Sequence, residues 1–466
     1  MANQFKFLKN KLYQFKNCYI LKDHKIIKED VWVRNGVIQN PEKIFFDEKV
    51  PSDVEIDCSG FFLFPGLIDL QINGAVGQDF SMDPEHILDK ISIVSKELLS
   101  HGVTSFCPTI VTSTPNAYKQ IVSKVRKKNG CKNGAGVLGL HLEGPFICKE
   151  MKGAHQVEHI TTFQNGVQAL METYGCLDNV AIVTLAPELP GAMEVIEYLS
   201  EKGVVVSLGH SSACLSVGEE AVERGATLIT HLFNAMLPFH HRDPHLVGLL
   251  TSQKFSNKND EDDNLNDDSG MEDGGDDSSG SGGGGGVGEN VKKMVEEKRK
   301  KIGMKKKRRK RVYYGMISDG VHTHPAALNI ANRAHPRGLI LVTDAVSAMG
   351  LSDGVHHLGD QVIEVKGRRA VLQGTETLCG SITSLDECMR FFHKNAAADL
   401  AQAIEACTLH PAEVMKITNK KGTLSYGSDA DIIIMDQSSL TVRATFIAGD
   451  LVWGGDELKY RFRNRN

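Results

Sequence analysis

The amino-acid sequence predicts an α/β fold, a (β/α)8 TIM-like barrel with a small β-sandwich domain formed from both chain ends. Eight short apolar runs alternate with stretches of helical character, which is typical of buried parallel strands with helical crossovers. These units occupy roughly 290 of the 466 residues once a low-complexity segment is set aside, as such a barrel requires. Both chain ends alternate in hydrophobicity around turn sequences, as hairpins do.

The eight apolar runs are the predicted barrel strands. In chain order they are Phe64–Gly74, Val103–Thr109, Val137–Gly144, Val180–Glu188, Val204–His210, Thr227–Asn234, Val312–Gly320 and Leu339–Ala345. A doubly wound open sheet is the alternative, but no G-x-G-x-x-G pattern follows the first run, so the barrel is favoured.

The two chain ends predict the small β domain. VWVRNGVIQN, before the barrel, alternates around an Asn-Gly turn, and GTLSYGSDADIIIMDQ, after it, has the same hairpin character. We expect residues 1–62 and 416–466 to join into this domain, and residues 63–415 to form the barrel.

One segment inside the barrel, residues 253–312, differs in composition from the rest. An acidic block and a glycine run are followed by KKKRRKR at 305–311. Such a segment cannot bury enough apolar surface to offset its chain entropy, so it predicts a disordered insertion. The basic block could serve nuclear entry or RNA binding, but a solvated loop whose charged halves neutralise each other is the favoured interpretation. Because the segment precedes the seventh strand, it should leave the barrel at its amino-end face.

Composition argues against several classes of protein. The net charge of -5 argues against a general nucleic-acid binder. The ten cysteines form no C-x-x-C pair, which is typical of free thiols in a reducing compartment. No stretch approaches the about 20 apolar residues of a membrane span, and the N-terminus lacks the apolar region of a signal peptide. These features predict a cytoplasmic protein without a membrane segment.

Polar residues close most of the predicted strands. Glu143 ends the third strand, His210 the fifth, His231 the sixth, Asp319 the seventh and Asp344 the eighth. Because the carboxyl ends of all barrel strands open onto one face, these residues should converge there. Two histidines and a carboxylate are a common open set for a catalytic zinc ion. A lone histidine is more often structural and a lone aspartate is more often a helix cap, but the repetition at equivalent positions favours a metal site.

Asp344 and His322 are the candidates for chemistry beside the metal. A carboxylate there can accept a proton from water and return it to a leaving amine. His322, in DGVHTHP, could hold a carbonyl oxygen as charge develops on it, and His324 is the weaker alternative. His141, two residues before Glu143, is expected to pack behind the site.

Three loop motifs could contact a ligand. HLFNAMLPFHHRDP contains Arg242, whose planar guanidinium suits phosphate, although a surface salt bridge with Asp243 is an equal alternative. KGAH (Lys152–His155) and LCGS (Leu378–Ser381) could bring glycine backbone close to a ligand, but each is a weak signal alone.

Taken together, these motifs resemble those of the N-acetylglucosamine-6-phosphate deacetylases, a branch of the metal-dependent amidohydrolases. The resemblance rests on FPGLIDLQING, GLHLEGPF, SLGHS, THLFNAMLPFHHRDP, YGMISDGVHT and LVTDA, and extends over essentially the whole chain outside the insertion. It implies hydrolysis of the acetamide of N-acetyl-D-glucosamine 6-phosphate to D-glucosamine 6-phosphate and acetate, in amino-sugar catabolism.

The resemblance also implies roles for individual residues. Glu143, His210 and His231 would bind one divalent metal ion per subunit, zinc above all, with iron, cobalt or manganese also compatible. Asp344 would be the proton acceptor and donor, and His322 would contact the substrate carbonyl. The sugar phosphate site would be lined by Ala154, Asn234, Ala235, Arg242, Asp319, Gly320, Val321, His322, Leu378, Cys379 and Gly380. The counterpart of Arg242 reaches the phosphate from the neighbouring subunit, so the resemblance implies a homodimer.

Some positions separate this chain from its relatives. Many amidohydrolases carry His-x-His and a second metal after the first strand, but this chain has Gln71-Ile72-Asn73, and neutral amides are poor zinc ligands. A single-metal site is therefore favoured. His245 stands where glycine is usual, so its loop should be stiffer or carry an extra donor, and Cys379 replaces a commoner small residue.

Three other functions remain as alternatives. A related hydrolase could act on the galactosamine epimer, which the sequence does not distinguish. A catalytically inactive relative would have lost ligands or the acid–base residue, but all four are present. A nucleic-acid binder would use the basic block.

Overall fold

The computed structural model describes residues 10–255, 311–358, 361–376, 378–455 and 461–464. The chain divides into two compact units, Met1–Thr251 with Val312–Asn466 and, separately, Ser252–Arg311. Nearly all of the second unit, and with it the predicted insertion, lies outside the described residues.

Seven strands precede the barrel. They are β1 (Leu12–Lys16), β2 (Tyr19–Lys22), β3 (Lys25–Lys28), β4 (Val31–Arg34), β5 (Val37–Gln39), β6 (Val54–Asp57) and β7 (Phe61–Pro65). β4 and β5 form a hairpin, and its turn residues Asn35 and Gly36 both have positive φ, 54° and 75°, as the predicted Asn-Gly turn requires. A π-helical segment, Lys43–Glu48, separates β5 from β6.

The following strands build the barrel and a small hairpin beside it. They are β8 (Leu67–Ile72), β9 (Gly74–Ala75), β10 (Gln78–Asp79), β11 (Val103–Val111), β12 (Gly136–Val137), β13 (Leu140–Glu143), β14 (Val180–Leu185), β15 (Val205–Leu208), β16 (Leu228–Ile229), β17 (Tyr313–Ile317) and β18 (Leu339–Val342). β9 and β10 are the hairpin. β12 and β13 pair in turn with β11 and together make the third barrel strand.

The barrel strands pair in parallel in the order β8-β11-β13-β14-β15-β16-β17-β18. Beyond β18, Ala345 bridges Ile72 and the Asp344 N–H donates to the Gln71 carbonyl at 2.8 Å, which brings the eighth strand back to the first. Each of the eight predicted runs contains a barrel strand, but the first run also includes the last two residues of β7, which belongs to another sheet. Every residue of β8 and β14 is buried, because both faces of a barrel strand are covered, and this explains the unbroken apolar runs.

Helices cover the outside of the barrel and follow its strands. The described α-helices are α1 (Ile87–Glu97), α2 (Pro115–Lys124), α3 (Val167–Tyr174), α4 (Ala192–Glu201), α5 (Leu215–Arg224), α6 (Pro325–Ala334), α7 (Leu385–Asn395), α8 (Leu400–Glu405) and α9 (Leu409–Val414). Short 3-10 helices span Pro84–His86, Leu98–His101, Lys149–Met151, Val157–His159, His245–Leu250 and Pro336–Gly338.

Local sequence explains where these helices begin. α2 starts at Pro115, and Thr114 before it caps the helix by accepting the Ala117 N–H at 3.2 Å. α7 starts with a capping box between Ser384 and Glu387, in which each side chain bonds the backbone of the other.

Two groups of strands follow the eighth barrel strand. The first is an antiparallel four-stranded sheet that the sequence analysis did not predict, made of β19 (Gly354–Leu358), β20 (Gln361–Lys366), β21 (Arg369–Leu372) and β22 (Leu378–Gly380). The second is the C-terminal group of β23 (Ile432–Asp436), β24 (Val442–Ile447), β25 (Asp450–Gly454) and β26 (Phe462–Asn464).

The small β domain joins both chain ends, as predicted. Its sheets have the orders β26-β6-β1-β4-β5 and β25-β24-β23-β7-β2-β3, so each contains strands from before and after the barrel. Phe15 of the first sheet and Phe446 of the second pack edge to face with ring centroids 5.5 Å apart. Both are fully buried and belong to one apolar core, which holds the two sheets together.

The cysteines whose side chains the structure describes are free thiols. Among the described helices, none combines the length and the apolar character needed to cross a membrane.

Candidate metal centre and active site

The three predicted ligands meet at one point among the carboxyl ends of the barrel strands. Glu143 is the last residue of β13, and His210 and His231 each lie two residues after a strand, β15 and β16. Each of the three is at most 3% exposed. Glu143 Oε1 lies 3.1 Å from Nε2 of either histidine, and the two Nε2 atoms are 3.1 Å apart. The buried carboxylate is therefore paired with two imidazoles.

This triangle of donor atoms fits a divalent cation. Ligand atoms about 2.0–2.1 Å from a tetrahedral zinc ion are roughly 3.3 Å apart, close to the observed separations. His210 Nδ1 donates to the Met151 carbonyl at 2.9 Å, which leaves the Nε2 lone pair for a metal. Two imidazoles and one carboxylate also leave a coordination position for water or substrate.

The electrostatics of the triangle depend on the same contacts. Burial would raise the pKa of Glu143, but its contacts with the His210 and His231 imidazoles hold that pKa well below its usual range. Burial would lower the pKa of His231, but the hydrogen bond and charge of Glu143 raise it to about 9. Because a metal binds only the neutral imidazole, it must displace a proton from this pair, and its affinity should fall in acid.

His155 also lies at this centre, although the sequence predicted no role for it beyond its place in the KGAH loop. One of its ring nitrogens, a Glu143 oxygen and a His210 nitrogen all lie within 4.8 Å of one another. His155 Nδ1 accepts the Thr112 N–H at 3.3 Å and lies 2.7 Å from Thr112 Oγ1. Burial and the charge of His210 lower the pKa of His155 to about 3, so the ring is neutral.

Geometry separates the role of His155 from that of His231. A neutral imidazole that accepts at Nδ1 carries its proton on Nε2. His155 is thus a hydrogen-bond donor, whereas His231 completes the tighter triangle of 3.1 Å contacts. Because His155 lies in a loop, in KGAH, the strand-end pattern could not identify it.

The backbone is strained at three of the residues that follow barrel strands. His210, His231 and Asp344 have φ values of 49°, 26° and 46°, in the left-handed region that residues other than glycine rarely adopt. Such strain is typical of residues that a fold holds in place for function.

Asp344 lies beside the triangle, two residues after β18. Gln71 Nε2 is 3.2 Å from Asp344 Oδ1 and 3.0 Å from Glu143 Oε1, so one amide connects the two carboxylates. Burial and the charge of Glu143 raise the pKa of Asp344 to about 6. A carboxylate with this pKa can accept and return a proton near neutral pH.

Asp319 contacts His322 after β17. Asp319 Oδ2 accepts from His322 Nδ1 at 2.6 Å, and Oδ1 accepts the N–H groups of Val321 and His322 at 2.8 Å. Burial would raise the pKa of Asp319, but the hydrogen bond and charge of His322 lower it. Asp319 therefore orients His322 and fixes the proton on Nδ1.

The two other histidines considered from sequence have structural contacts. His324 caps α6, where its Nδ1 accepts the Ala326 N–H at 3.1 Å. His141 is buried, with Nδ1 3.0 Å from the Leu70 carbonyl and Nε2 2.7 Å from Thr184 Oγ1.

The predicted substrate loops lie around the same strand ends. A Cβ at Gly153, next to Ala154, would be 3.6 Å from His210 Cε1, so the KGAH loop covers that histidine. The Ser211 N–H donates to the Ala235 carbonyl at 3.2 Å, which places the Asn234–Ala235 turn beside the His210 turn.

Asn234 and the LCGS segment both lie close to the strand-end residues. Asn234 Nδ2 is buried and has no hydrogen-bond partner in the described part of the chain, so it is available to a ligand. The LCGS segment was predicted to be a loop, but Leu378–Gly380 form strand β22. A Cβ at Gly380 would collide with Val346, two residues after Asp344. The side chain of Cys379 lies outside the described part, and Leu378 and Gly380 are its neighbours in β22.

Arg242 is exposed, and its guanidinium has no partner among the described residues. Its alternative partner is engaged elsewhere, because Asp243 Oδ1 accepts the N–H groups of Leu215 and His245, both at 3.0 Å. His245 Nδ1 donates to the Pro238 carbonyl at 2.9 Å and closes the loop that carries Arg242.

Comparison with known proteins places these residues in a family. The amidohydrolase family matches residues 282–452. The N-acetylglucosamine-6-phosphate deacetylase of Danio rerio is 49% identical over 441 residues, which cover 94% of this chain and 96% of that protein.

Two solved structures resemble the fold. N-acetylglucosamine-6-phosphate deacetylase from Pasteurella multocida is 25% identical with a TM-score of 0.72, over 94% of this chain and 99% of its own. A mutant of the Mycobacterium smegmatis enzyme in complex with N-acetyl-D-glucosamine-6-phosphate is 24% identical with a TM-score of 0.71, over 95% and 99%. On the extent of the sequence match, the chain belongs to the N-acetylglucosamine-6-phosphate deacetylase family and is a metal-dependent amidohydrolase.

Proposed function

We propose that this chain hydrolyses the acetamide of N-acetyl-D-glucosamine 6-phosphate to D-glucosamine 6-phosphate and acetate, in amino-sugar catabolism. The observation that carries the proposal is the buried triangle of Glu143, His210 and His231 with Asp344 beside it. The substrate is that of the relatives, one of which is known with N-acetyl-D-glucosamine-6-phosphate bound.

Glu143, His210 and His231 would hold one divalent ion, for which zinc suits the donor set best and iron, cobalt or manganese are also compatible. When bound, such an ion supplies Lewis-acid activation of the attacking water and of the amide carbonyl. Gln71 and Asn73 donate to carboxylates at the position where many amidohydrolases bind a second metal, which supports a single-metal site.

The remaining chemistry falls to residues of the chain. Asp344 accepts a proton from water as the water oxygen bonds to the carbonyl carbon, and it returns the proton to nitrogen as the C–N bond breaks. His322, held through Nδ1 by Asp319, offers its other nitrogen to the carbonyl oxygen. Besides His322, His155 supplies a second hydrogen-bond donor, its Nε2–H, close to Glu143 and His210.

The sugar phosphate would be held by the surrounding loops, with Ala154, Asn234, Ala235, the Asp319–His322 turn and Leu378–Gly380 around the sugar. In a homodimer, the unpartnered guanidinium of Arg242 would bind the phosphate of the substrate held in the active site of the neighbouring subunit. Phe239, on the same loop, is 62% exposed, and its burial against a second copy would support that arrangement.

The reaction is tested by acetate release from the two epimers, N-acetyl-D-glucosamine and N-acetyl-D-galactosamine 6-phosphate, with elemental analysis of the purified protein. We expect about one metal ion per chain, turnover that stops on chelation, and a higher kcat/KM on the glucosamine epimer.

Asp344→Asn should keep the metal and lose about 10²–10⁴ in kcat. Near-normal kcat in this variant would exclude the proton-transfer role.

The dimer is tested by complementation. Arg242→Ala and Asp344→Asn proteins should each be inactive on the phosphorylated substrate. Mixed after partial dissociation, they should recover activity, because one site in each heterodimer then has both Arg242 and Asp344. No recovery from a confirmed heterodimer would show that Arg242 acts within its own subunit.

We assign the enzyme to the cytoplasm, which the free thiols of the described residues support. The domain boundaries after residues 62 and 415 stay predictions, as does the disorder of the insertion.

A further inference from the structure

Two amide side chains at the end of the first barrel strand contact the active-site carboxylates. Gln71 lies in β8 and Asn73 follows it, and they are 2% and 9% exposed. Gln71 Nε2 is 3.0 Å from Glu143 Oε1 and 3.2 Å from Asp344 Oδ1. Asn73 Nδ2 is 2.7 Å from Asp344 Oδ1. Because an ionised carboxylate only accepts, the amide nitrogens rather than the oxygens must face these groups.

These contacts distinguish the two oxygens of Asp344. Oδ1 accepts from both amides. Within the described part of the chain, Oδ2 has no hydrogen-bond partner and is the oxygen left for water or substrate. The backbone supports the same arrangement, since the Asp344 N–H donates to the Gln71 carbonyl and the Asn73 N–H to the Ala345 carbonyl, both at 2.8 Å.

We propose that Gln71 and Asn73 are positioning residues that saturate Oδ1 of Asp344, so that Oδ2 is the oxygen that transfers the proton. Both amides are neutral dipoles at the place of a second cation. Gln71 bonds both carboxylates and so holds them together without adding charge. The inference rests on the proposed acid–base role of Asp344.

The two residues differ in what they contact, which gives each its own phenotype. Asn73 bonds Asp344 and none of Glu143, His210 and His231, so its loss should affect proton transfer without loss of metal. Gln71 also bonds Glu143, so its loss should weaken metal retention as well, because groups bonded to a metal ligand typically contribute about 10- to 100-fold in affinity.

The test uses variants that keep side-chain size but remove the donors, Asn73→Leu and Gln71→Met. A matched control is Gln14→Met in the small β domain, where Gln14 is also buried and its Nε2 donates to Asp30 at 2.9 Å. For Asn73→Leu we expect kcat to fall about 10- to 100-fold, with KM within about two-fold and metal content unchanged. Gln71→Met should lose a similar factor in kcat and also release metal to a chelator at about ten-fold lower chelator concentration. Gln14→Met should keep parental kinetics and metal.

The outcomes separate this inference from the function on which it rests. If Asn73→Leu keeps kcat within about two-fold of the parent while Asp344→Asn is inactive, the amides only fill space and the inference is wrong. If Asp344→Asn is itself active, the proposed mechanism is wrong. Should Asn73→Leu not fold, Asn73→Ala gives the same comparison of kcat with KM and metal content.

Discussion

The hydrogen bonds of Asp319 indicate its role more clearly than its position in the DGVHTHP motif does. Both of its oxygens are occupied by the turn it belongs to, one by two backbone N–H groups and the other by His322 Nδ1. It is 1% exposed, so little of it remains to contact a substrate directly. Its effect on the reaction should therefore be exerted through the orientation of His322.

We expect Asp319→Ala to lower kcat about 10- to 100-fold, because His322 loses the partner that fixes its ring and its proton. Steady-state kinetics on N-acetyl-D-glucosamine 6-phosphate would measure the loss. His322→Ala should cause a similar loss, and the double variant should lose little more, since the two act as a unit. Additive losses would show that Asp319 acts independently of His322.

Residues at strand ends could be predicted from sequence, and those that support them could not. Glu143, His210, His231 and Asp344 each close a long apolar run, so the fold class alone brings them together. His155 lies in a loop with no periodicity. Gln71 and Asn73 could be recognised from sequence only as unsuitable metal ligands, because donation to a carboxylate depends on distances between distant segments.

At the scale of elements, the loop before the 3-10 helix His245–Leu250 carries the phosphate-binding candidate Arg242. His245 has a φ of 51°, a conformation that glycine adopts without strain. The hydrogen bond from its ring to the Pro238 carbonyl offsets that strain and ties the two ends of the loop together. A histidine at this position therefore strains the backbone but provides the hydrogen bond that closes the loop.

Substitution at this position should separate the two effects. His245→Ala keeps the strain and loses the bond, so it should lower the free energy of unfolding by about 1 kcal/mol. His245→Gly loses both, so its stability should stay near that of the parent, while a looser loop raises KM about three- to ten-fold. Urea unfolding and kinetics would measure both variants. An unchanged KM in His245→Gly would show that the bond does not order Arg242.

A second pairing connects the 3-10 helix Leu98–His101 with α7. His101 Nδ1 lies 3.1 Å from Asp386 Oδ1, and Asp386 also accepts from Arg390. Burial would lower the pKa of His101, but Asp386 raises it above its usual value. The stabilisation from His101 is therefore complete below about pH 6.5 and is lost as pH rises through the raised pKa. Asp386 has its pKa lowered to about 2, so its own contribution is lost only in strong acid.

We expect His101→Gln to lower the free energy of unfolding more at pH 6 than at pH 9, by about 1 kcal/mol. Urea unfolding at the two pH values would measure the difference. His86→Gln is the control, because His86 and Asp83 form an ion pair whose side chains are 63% and 54% exposed, and such pairs contribute little. An equal effect of His101→Gln at both pH values would show that His101 is not charged in the folded protein.

The four-stranded sheet of β19–β22 shows where prediction of elements failed. Its strands are three to six residues long, and several of the side chains that the structure describes are exposed. A sheet that packs on one face with so small a core leaves no long apolar run, so its sequence resembles that of a loop.

At the scale of the molecule, the barrel was predictable because one pattern repeats eight times and each repeat supports the others. The prediction of the β domain depended on a weaker alternation of apolar and polar residues at the two ends of the chain. Its closure could be expected but not its strand order, which pairs β7 with β2 in parallel and with β23 in the opposite direction. Such long-range pairing leaves no mark in local sequence.

The low-complexity segment should have little effect on catalysis. The chain re-enters the barrel at Val312, and β17 starts at Tyr313, whose N–H donates to the Thr227 carbonyl before β16. This is the amino end of the strand, whereas Asp319 follows its carboxyl end. Replacing residues 256–310 by a Gly/Ser linker of about ten residues should therefore keep kcat/KM within about two-fold of the parent. A Gly/Ser segment of the original length is the control for loop length, and a loss of ten-fold or more in both variants would mean that the natural segment takes part in the reaction.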